Sequence, residues 1–223
     1  ISGDNTWVFG YDDARVEAKF LSTRGKPWDV MIWNFYKMHA MRDATVPWSP
    51  KPPQMVMQEA AIILAHGGSV QVYENGAGIR DGRLVPWRIQ ALEEVARFIA
   101  HRRSPCSHTE SLAQAVVLHS EHHARQHMGA NLMWGVDVSA VRGATYALLE
   151  NHLGVDVMDE WALLPRLREF PVVVVPEQTD LSSAAVEALC EYAAGGGVLV
   201  LSGAGLVSRF PAQVVGSRSS ENL

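Results

Sequence analysis

Three stretches of the chain end in residue types that can do chemistry together. Residues 29–35, DVMIWNF, run into Tyr36 and carry Trp33 and Asn34 near their far end. Residues 69–74, SVQVYE, finish on Tyr73 and Glu74, with Asn75 next. A third stretch, at the start, holds Asp4 and Asn5 just before Trp7. Carboxylates serve as acid and base, or as nucleophile, in the cleavage of a glycosidic bond. Aromatic faces cover the apolar side of a sugar ring while amides read its hydroxyls. Asp4 and Glu74 are therefore the candidate catalytic residues. Trp33, Asn34, Tyr36, Tyr73 and Asn75 are the candidate substrate-binding residues. The same residues also have plainer readings. Glu74 can cap its loop or pair with Arg80, Asp4 can sit in a turn, and Trp33 and Tyr36 can be packing aromatics. Asp81-Gly82 is a turn dipeptide.

The elements that must position these groups follow from periodicity. Residues 12–23 are predicted as a helix, closed by Gly25. Residues 29–35 and 69–74 are predicted strands, the second by its alternation and β-branched content. Between them lie a proline-rich loop, 39–53, and a helix, 54–66 (QMVMQEAAIILAH), ended by Gly67-Gly68. A turn-rich loop, 75–86, leads to an amphipathic helix over 87–103, with Ile89, Leu92, Val95, Ala96 and Ile99 on one face. Ser104-Pro105-Cys106-Ser107-His108 breaks the pattern and reads as a linker. Beyond it, 115–119 (AVVLH) is a predicted strand, 141–153 a helix and 155–158 a short strand. The clearest run is FPVVVVPEQTDLSSAAVEALCEYAAGGGVLVLSGAG, residues 170–205. Val172 to Val175 suit a strand buried on both faces of a parallel sheet. A helix capped by Asp180 or Ser182 follows, with Ala185, Leu189 and Tyr192 on its inner face. Gly195-Gly196-Gly197 ends it, and Val198 to Leu201 form the next strand. Strands and helices alternate throughout, which is the α/β class.

The 223 residues suffice for one large or two small domains, and 48% are apolar, so a core is readily buried. A net charge of −5 argues against nucleic acid as a partner. No apolar run reaches the roughly 18–20 residues of a membrane helix, so no membrane partner is expected. Cys106 and Cys190 make neither a metal spacing nor a disulfide framework. The chain opens at Ile1 rather than methionine and reads as a piece of a longer protein, which leaves its localisation unassigned.

Two resemblances arise from these residues. LAHGGSVQVYENGAGIRDGRLVPWRIQALEEVARFI, within residues 54–103, resembles the last unit of the barrel in α-L-fucosidase-like glycoside hydrolases. AVVLHS together with VVVVPEQTDLSSAAVEALCEYAAGGGVLVLSG, within residues 113–205, resembles the β-galactosidase trimerisation domain, which has the shape of a class I glutamine amidotransferase. The resemblance implies an α/β architecture: the C-terminal part of a (β/α)8 barrel over 1–106, then a flavodoxin-like or amidotransferase-like parallel sheet over 107–223. It implies a glycoside hydrolase acting on a carbohydrate substrate, with no cofactor and with a second domain that braces the barrel or builds a homo-oligomer. A noncatalytic carbohydrate-binding or assembly module is the alternative. In barrel enzymes the reactive residues lie beyond the carboxyl ends of strands, where Asp4, Trp33 and Glu74 fall.

Two features of the second half bear on chemistry. Amidotransferases of this shape carry a nucleophilic cysteine in the turn after a strand equivalent to Val198–Leu201. Here that turn is Ser202-Gly203-Ala204-Gly205, with no cysteine, and Val200 stands where a serine elbow needs glycine. The segment LHSEHHARQH groups His119, His122, His123 and His127. If it is helical, His123 and His127 share a face at a spacing that can hold a metal. No third ligand is evident nearby, so the segment reads as a solvated or interface stretch and no metal is assigned. Because histidine titrates near pH 6.5, a pH-sensitive interface is a further expectation.

Overall fold

The structure is a computed structural model that describes residues 1–5, 10–36, 48–74, 83–128 and 137–211. The chain forms two compact units, Ile1–Ser111 and Leu112–Leu223. The break at 104–108 is a run of turns continuing from a helix inside the first unit.

In the first unit, β1 (Ser2–Asn5), β2 (Asp29–Trp33) and β5 (Ser69–Tyr73) form a parallel sheet in sequential order. Helix α1 (Tyr11–Ser22) connects β1 to β2, and α2 (Pro53–Ala65) leads into β5. Register places Asp4 beside Met31, Asn5 beside Ile32 and Trp33 beside Tyr73. Successive side chains point to opposite faces. Val30, Ile32, Val70 and Val72 pack against Leu21, Val56, Ala60 and Ile63 of the helices. The alternate set, Asp4, Asp29, Met31, Trp33, Gln71 and Tyr73, lies on the opposite face, and it is largely polar or aromatic. Parallel strands in sequential order with a helix layer on one face are the make-up of a partial (β/α)8 barrel.

Two expectations change here. The strand predicted over 29–35 stops at Trp33. The Asn34 N–H makes the last ladder bond, to the Tyr73 carbonyl (2.9 Å), but its own carbonyl turns away to accept from Lys51 N–H (3.1 Å). The chain then forms β3 (Phe35–Tyr36), antiparallel to β4 (Ser49–Pro50) within the proline-rich loop. The helix over 87–103 is present as α3 (Pro86–Arg103), but its apolar face is not buried as a whole. Only Val95 is buried, with Ile99 against the same core, while Trp87 is 53% and Ile89 44% exposed. Within this unit α3 has α2 to pack on, and one neighbour covers one narrow stripe.

The second unit is a four-stranded parallel sheet in the order β7-β6-β8-β9, the flavodoxin-like arrangement. Its strands are β6 (Ala115–Leu118), β7 (Val155–Met158), β8 (Val172–Pro176) and β9 (Val198–Ser202). Helices α4 (Glu121–Gln126) and α5 (Ser139–Glu150) lie between β6 and β7. Helix α6 (Glu160–Leu163) and a 3-10 turn (Leu164–Glu169) lead to β8. Helix α7 (Ser183–Ala194) joins β8 to β9, and α8 (Ala204–Val207) follows. Ser182 caps α7 by accepting from Ala185 N–H (3.2 Å), and Ala185, Leu189 and Tyr192 enter the core with Val173 and Val175. At the far end Gly196 takes a φ of 96° and returns the chain to β9.

Gly197 is required for a different reason. A Cβ there would stand 2.2 Å from Cζ of Tyr192, whose hydroxyl donates to the Phe170 carbonyl (2.9 Å). Gly197→Ala is expected to displace that ring and destabilise the unit by about 2–4 kcal/mol, through overpacking and a lost buried hydrogen bond. Gly143, inside α5 with open space around its Cβ position, is the contrast. Gly143→Ala should stabilise by about 0.5–1 kcal/mol. Urea unfolding of the two variants, followed by far-UV circular dichroism, checks the opposite signs.

Candidate functional site

Parallel strands deliver their carboxyl ends to one edge of the sheet, and the first unit gathers its polar groups there. Asp4, near the end of β1, accepts a hydrogen bond from the indole N–H of Trp33 at the end of β2. Trp33 meets Tyr73, at the end of β5, edge to face at 5.5 Å between ring centres. Phe35 joins the cluster, 5.2 Å from Trp33 and 5.2 Å from Tyr73, and Trp48 stands edge-on to Phe35 at 5.3 Å. These contacts link a carboxylate to a patch of aromatic faces at the strand ends.

Glu74 and Asn34 form a second set. Asn34 Nδ2 donates to Glu74 Oε2 at 2.7 Å, and Arg88 of α3 pairs with Oε1. Glu74 therefore does pair with an arginine, but it is Arg88; Arg80 lies outside the described residues, as does Asn75. With both oxygens accepting, Glu74 ties the end of β5 to β2 and to α3. Tyr36 sits in the β3–β4 ladder opposite Ser49. Of the sequence candidates, then, Asp4, Trp33 and Tyr73 come together, and Asn34 and Glu74 come together.

Beneath lies a group that sequence reasoning did not single out. Lys51 Nζ donates to both oxygens of Glu59, at 2.7 and 2.9 Å, and neither side chain is exposed at all. Asn5 Nδ2 donates to Glu59 Oε2 at 2.9 Å. Burial pushes the Glu59 carboxyl above the usual carboxylate range, and the bonds from Lys51 and Asn5 pull it back only in part. The signal was present in QMVMQEAAIILAH: Glu59 is the sole carboxylate on a helix stripe with Val56, Ala60 and Ile63. Its partner, on a proline-rich loop, could not be found by periodicity. Burial also raises Glu17, which accepts from the Asp4 N–H at 2.9 Å and so steadies the end of β1.

In the second unit the turn after β9 holds no nucleophile among the described residues. Gly203 occupies it with a φ of 93°, and a Cβ there would meet Glu177 Cγ at 3.2 Å. Burial raises the thiol of Cys190, away from the reactive thiolate. The histidines gather at the other strand ends. Segment 121–126 is helical, and Asp180, from the loop after β8, joins His123 and His127. Burial lowers His119, and burial followed by the nearby His127 lowers His123. Asp180 is held below the usual carboxylate range by hydrogen bonds from His127 and Thr179.

No protein-family model and no curated sequence matches the chain. Solved structures do. An α-L-fucosidase isoenzyme 2 from Paenibacillus thiaminolyticus superposes with a TM-score of 0.67 at 18% identity, over 92% of this chain and 29% of that one. A GH42 β-galactosidase from G. stearothermophilus gives 0.61 at 16% identity, over 90% of this chain and 32% of the other. The chain thus spans about a third of the length of each. The fold is glycoside-hydrolase-like, a partial barrel and a parallel-sheet unit. Among the described residues no helix is long and apolar enough to cross a membrane.

The buried pair generates a stability prediction. Lys51→Met leaves Glu59 buried without its cation and is expected to cost about 3–5 kcal/mol near neutral pH. A carboxyl raised in the folded state binds more protons there than in the unfolded chain, so stability falls as pH rises through the folded value. Losing Lys51 raises Glu59 further. The deficit of the variant should therefore widen from pH 5 to pH 8, as read by urea unfolding at each pH. An equal deficit at both would mean that Glu59 is not the group responsible.

Proposed function

We propose that the chain is part of a glycoside hydrolase in which Asp4 and Glu74 serve at a carbohydrate site on the barrel's strand ends. The observation that carries this reading is the join of Asp4, Trp33 and Tyr73 at the carboxyl ends of three parallel strands. In a barrel that edge is where substrate binds. Trp33, Tyr73 and Tyr36 would stack on sugar rings, and Asn34 and Asn75 would read hydroxyls. Glu74, with both oxygens accepting hydrogen bonds, suits a carboxylate that faces developing positive charge at the anomeric carbon. It does not suit a proton donor. The acid would come from strands beyond this chain. The second unit would brace the barrel or build a homo-oligomer, as its elbow offers no nucleophile. The likeness to a fucosidase and a β-galactosidase supports the class of reaction, and the sugar is left open.

A noncatalytic carbohydrate-binding module is the second reading. It is favoured by the way Trp33, Asn34 and Arg88 already occupy the two carboxylates.

The test offers nitrophenyl glycosides to the full-length gene product and to residues 1–223. The full-length protein should hydrolyse at least one, and residues 1–223 alone should not. Asp4→Asn or Glu74→Gln in the full-length protein should lower kcat by roughly 10²–10⁴-fold. Trp33→Ala should chiefly raise KM. Sugar binding without hydrolysis in the full-length protein would establish the module instead, and turnover by residues 1–223 would overturn the need for further strands.

A further inference from the structure

The second unit places three potential ligands at one point. The nitrogens of His123 and His127 and a carboxylate oxygen of Asp180 all lie within 4.8 Å of one another. His127 Nε2 is 2.6 Å from Asp180 Oδ2, and His123 Nδ1 is 3.6 Å from the same oxygen. The two imidazoles face each other at 4.2 Å between ring centres. From these contacts we propose that His123, His127 and Asp180 form a site for a first-row divalent transition cation, of the zinc class.

Donor chemistry sets the class. Two imidazoles and one carboxylate suit zinc and its neighbours rather than magnesium or calcium, which take oxygen ligands. The distances also fit: 2.6 and 3.6 Å bracket the roughly 3.4 Å that separates ligands around a tetrahedral cation with bonds near 2.1 Å. In the metal-free arrangement a proton lies between His127 Nε2 and Asp180 Oδ2, and the Asp180 N–H donates to His123 Nδ1 at 3.3 Å. A cation bound at Nε2 takes the place of that proton, and the neutral ring then carries its proton on Nδ1. Three protein ligands leave at least one coordination position to water or to a ligand.

The surroundings are built rather than incidental. Ser120 is fully buried; its N–H donates to Gln178 Oε1 (2.9 Å), and its hydroxyl caps α4 by accepting from His123 N–H (3.0 Å) while donating to Glu160. Gln178 in turn donates to the Pro176 carbonyl (3.1 Å). These bonds hold the start of α4 against the loop that carries Asp180. Thr179 Oγ1 donates to Asp180 Oδ2 at 2.9 Å, the outer contact that orients a ligating carboxylate. The site also lies between the carboxyl ends of β6 and β8. The strand order reverses there, so it is the switch point where open α/β sheets bind ligands.

Zinc chloride titrated into chelator-treated protein, followed by calorimetry, is expected to show saturable binding of one ion per chain. His127→Ala and Asp180→Asn should each weaken it by more than the roughly 10–100-fold that loss of an outer partner costs, and Thr179→Val by about 10-fold. His122→Ala, on the same helix but outside the cluster, should leave affinity unchanged. Circular dichroism checks that each variant is folded. In the unaltered protein, long-range imidazole NMR spectra should show zinc-dependent shifts at His123 and His127. No saturable binding, retained affinity in Asp180→Asn, or imidazole shifts confined to other histidines would overturn the site.

Discussion

A strand that pairs in parallel with its predecessor can be reached only by a crossover, and every crossover returns the chain to the same edge of the sheet. Both units obey this constraint. In the first, β1, β2 and β5 all point one way, so Asp4, Trp33, Asn34, Tyr73 and Glu74 collect at one edge although up to 70 residues separate them. In the second, the ends of β6 and β8 bring His123 and Asp180 together across 57 positions. Chemistry at either edge depends on this delivery before it depends on any side chain.

Alternation then decides which delivered side chains are available. On β2 the residues Val30 and Ile32 are spent on the helix layer, and Trp33 falls on the other face with Asp4 and Tyr73. Asn34 follows the parity of Ile32, and its amide secures Glu74. A one-residue shift would exchange the two sets, so the register of β1, β2 and β5 fixes which groups share that face. The second unit shows the same economy at an edge: Leu199 and Leu201 pack on the core while Val198 and Val200 are 53% and 45% exposed. The apolar run there forms a strand buried on one face among the described residues.

Charge placed inside the first unit is satisfied locally. Lys51 and Glu59 are removed from water together, and Asn5 adds a third bond. Such a pair contributes little net stability against an apolar replacement, yet it penalises any arrangement that separates its members. It therefore ties the proline-rich loop and α2 to the end of β1, beside Asp4. In this way a fully buried group holds the strand end in place.

The chain's own sequence determined the α/β class, the elements of residues 170–205 and the absence of a cysteine at the elbow. Each rests on local properties: β-branched runs, helical spacing, a serine cap, glycine turns. It also placed Trp33 and Glu74 near strand ends, through the β-branched and alternating runs before them, although β2 stops at Trp33 and not at Phe35. Tertiary structure alone decided the partners. Arg88 meets Glu74, Lys51 meets Glu59, and Asp180 supplies a third group beside His123 and His127. None of these pairings has a period or a motif. They follow from which strands neighbour one another and from register, and those are settled by burial summed over the whole sheet.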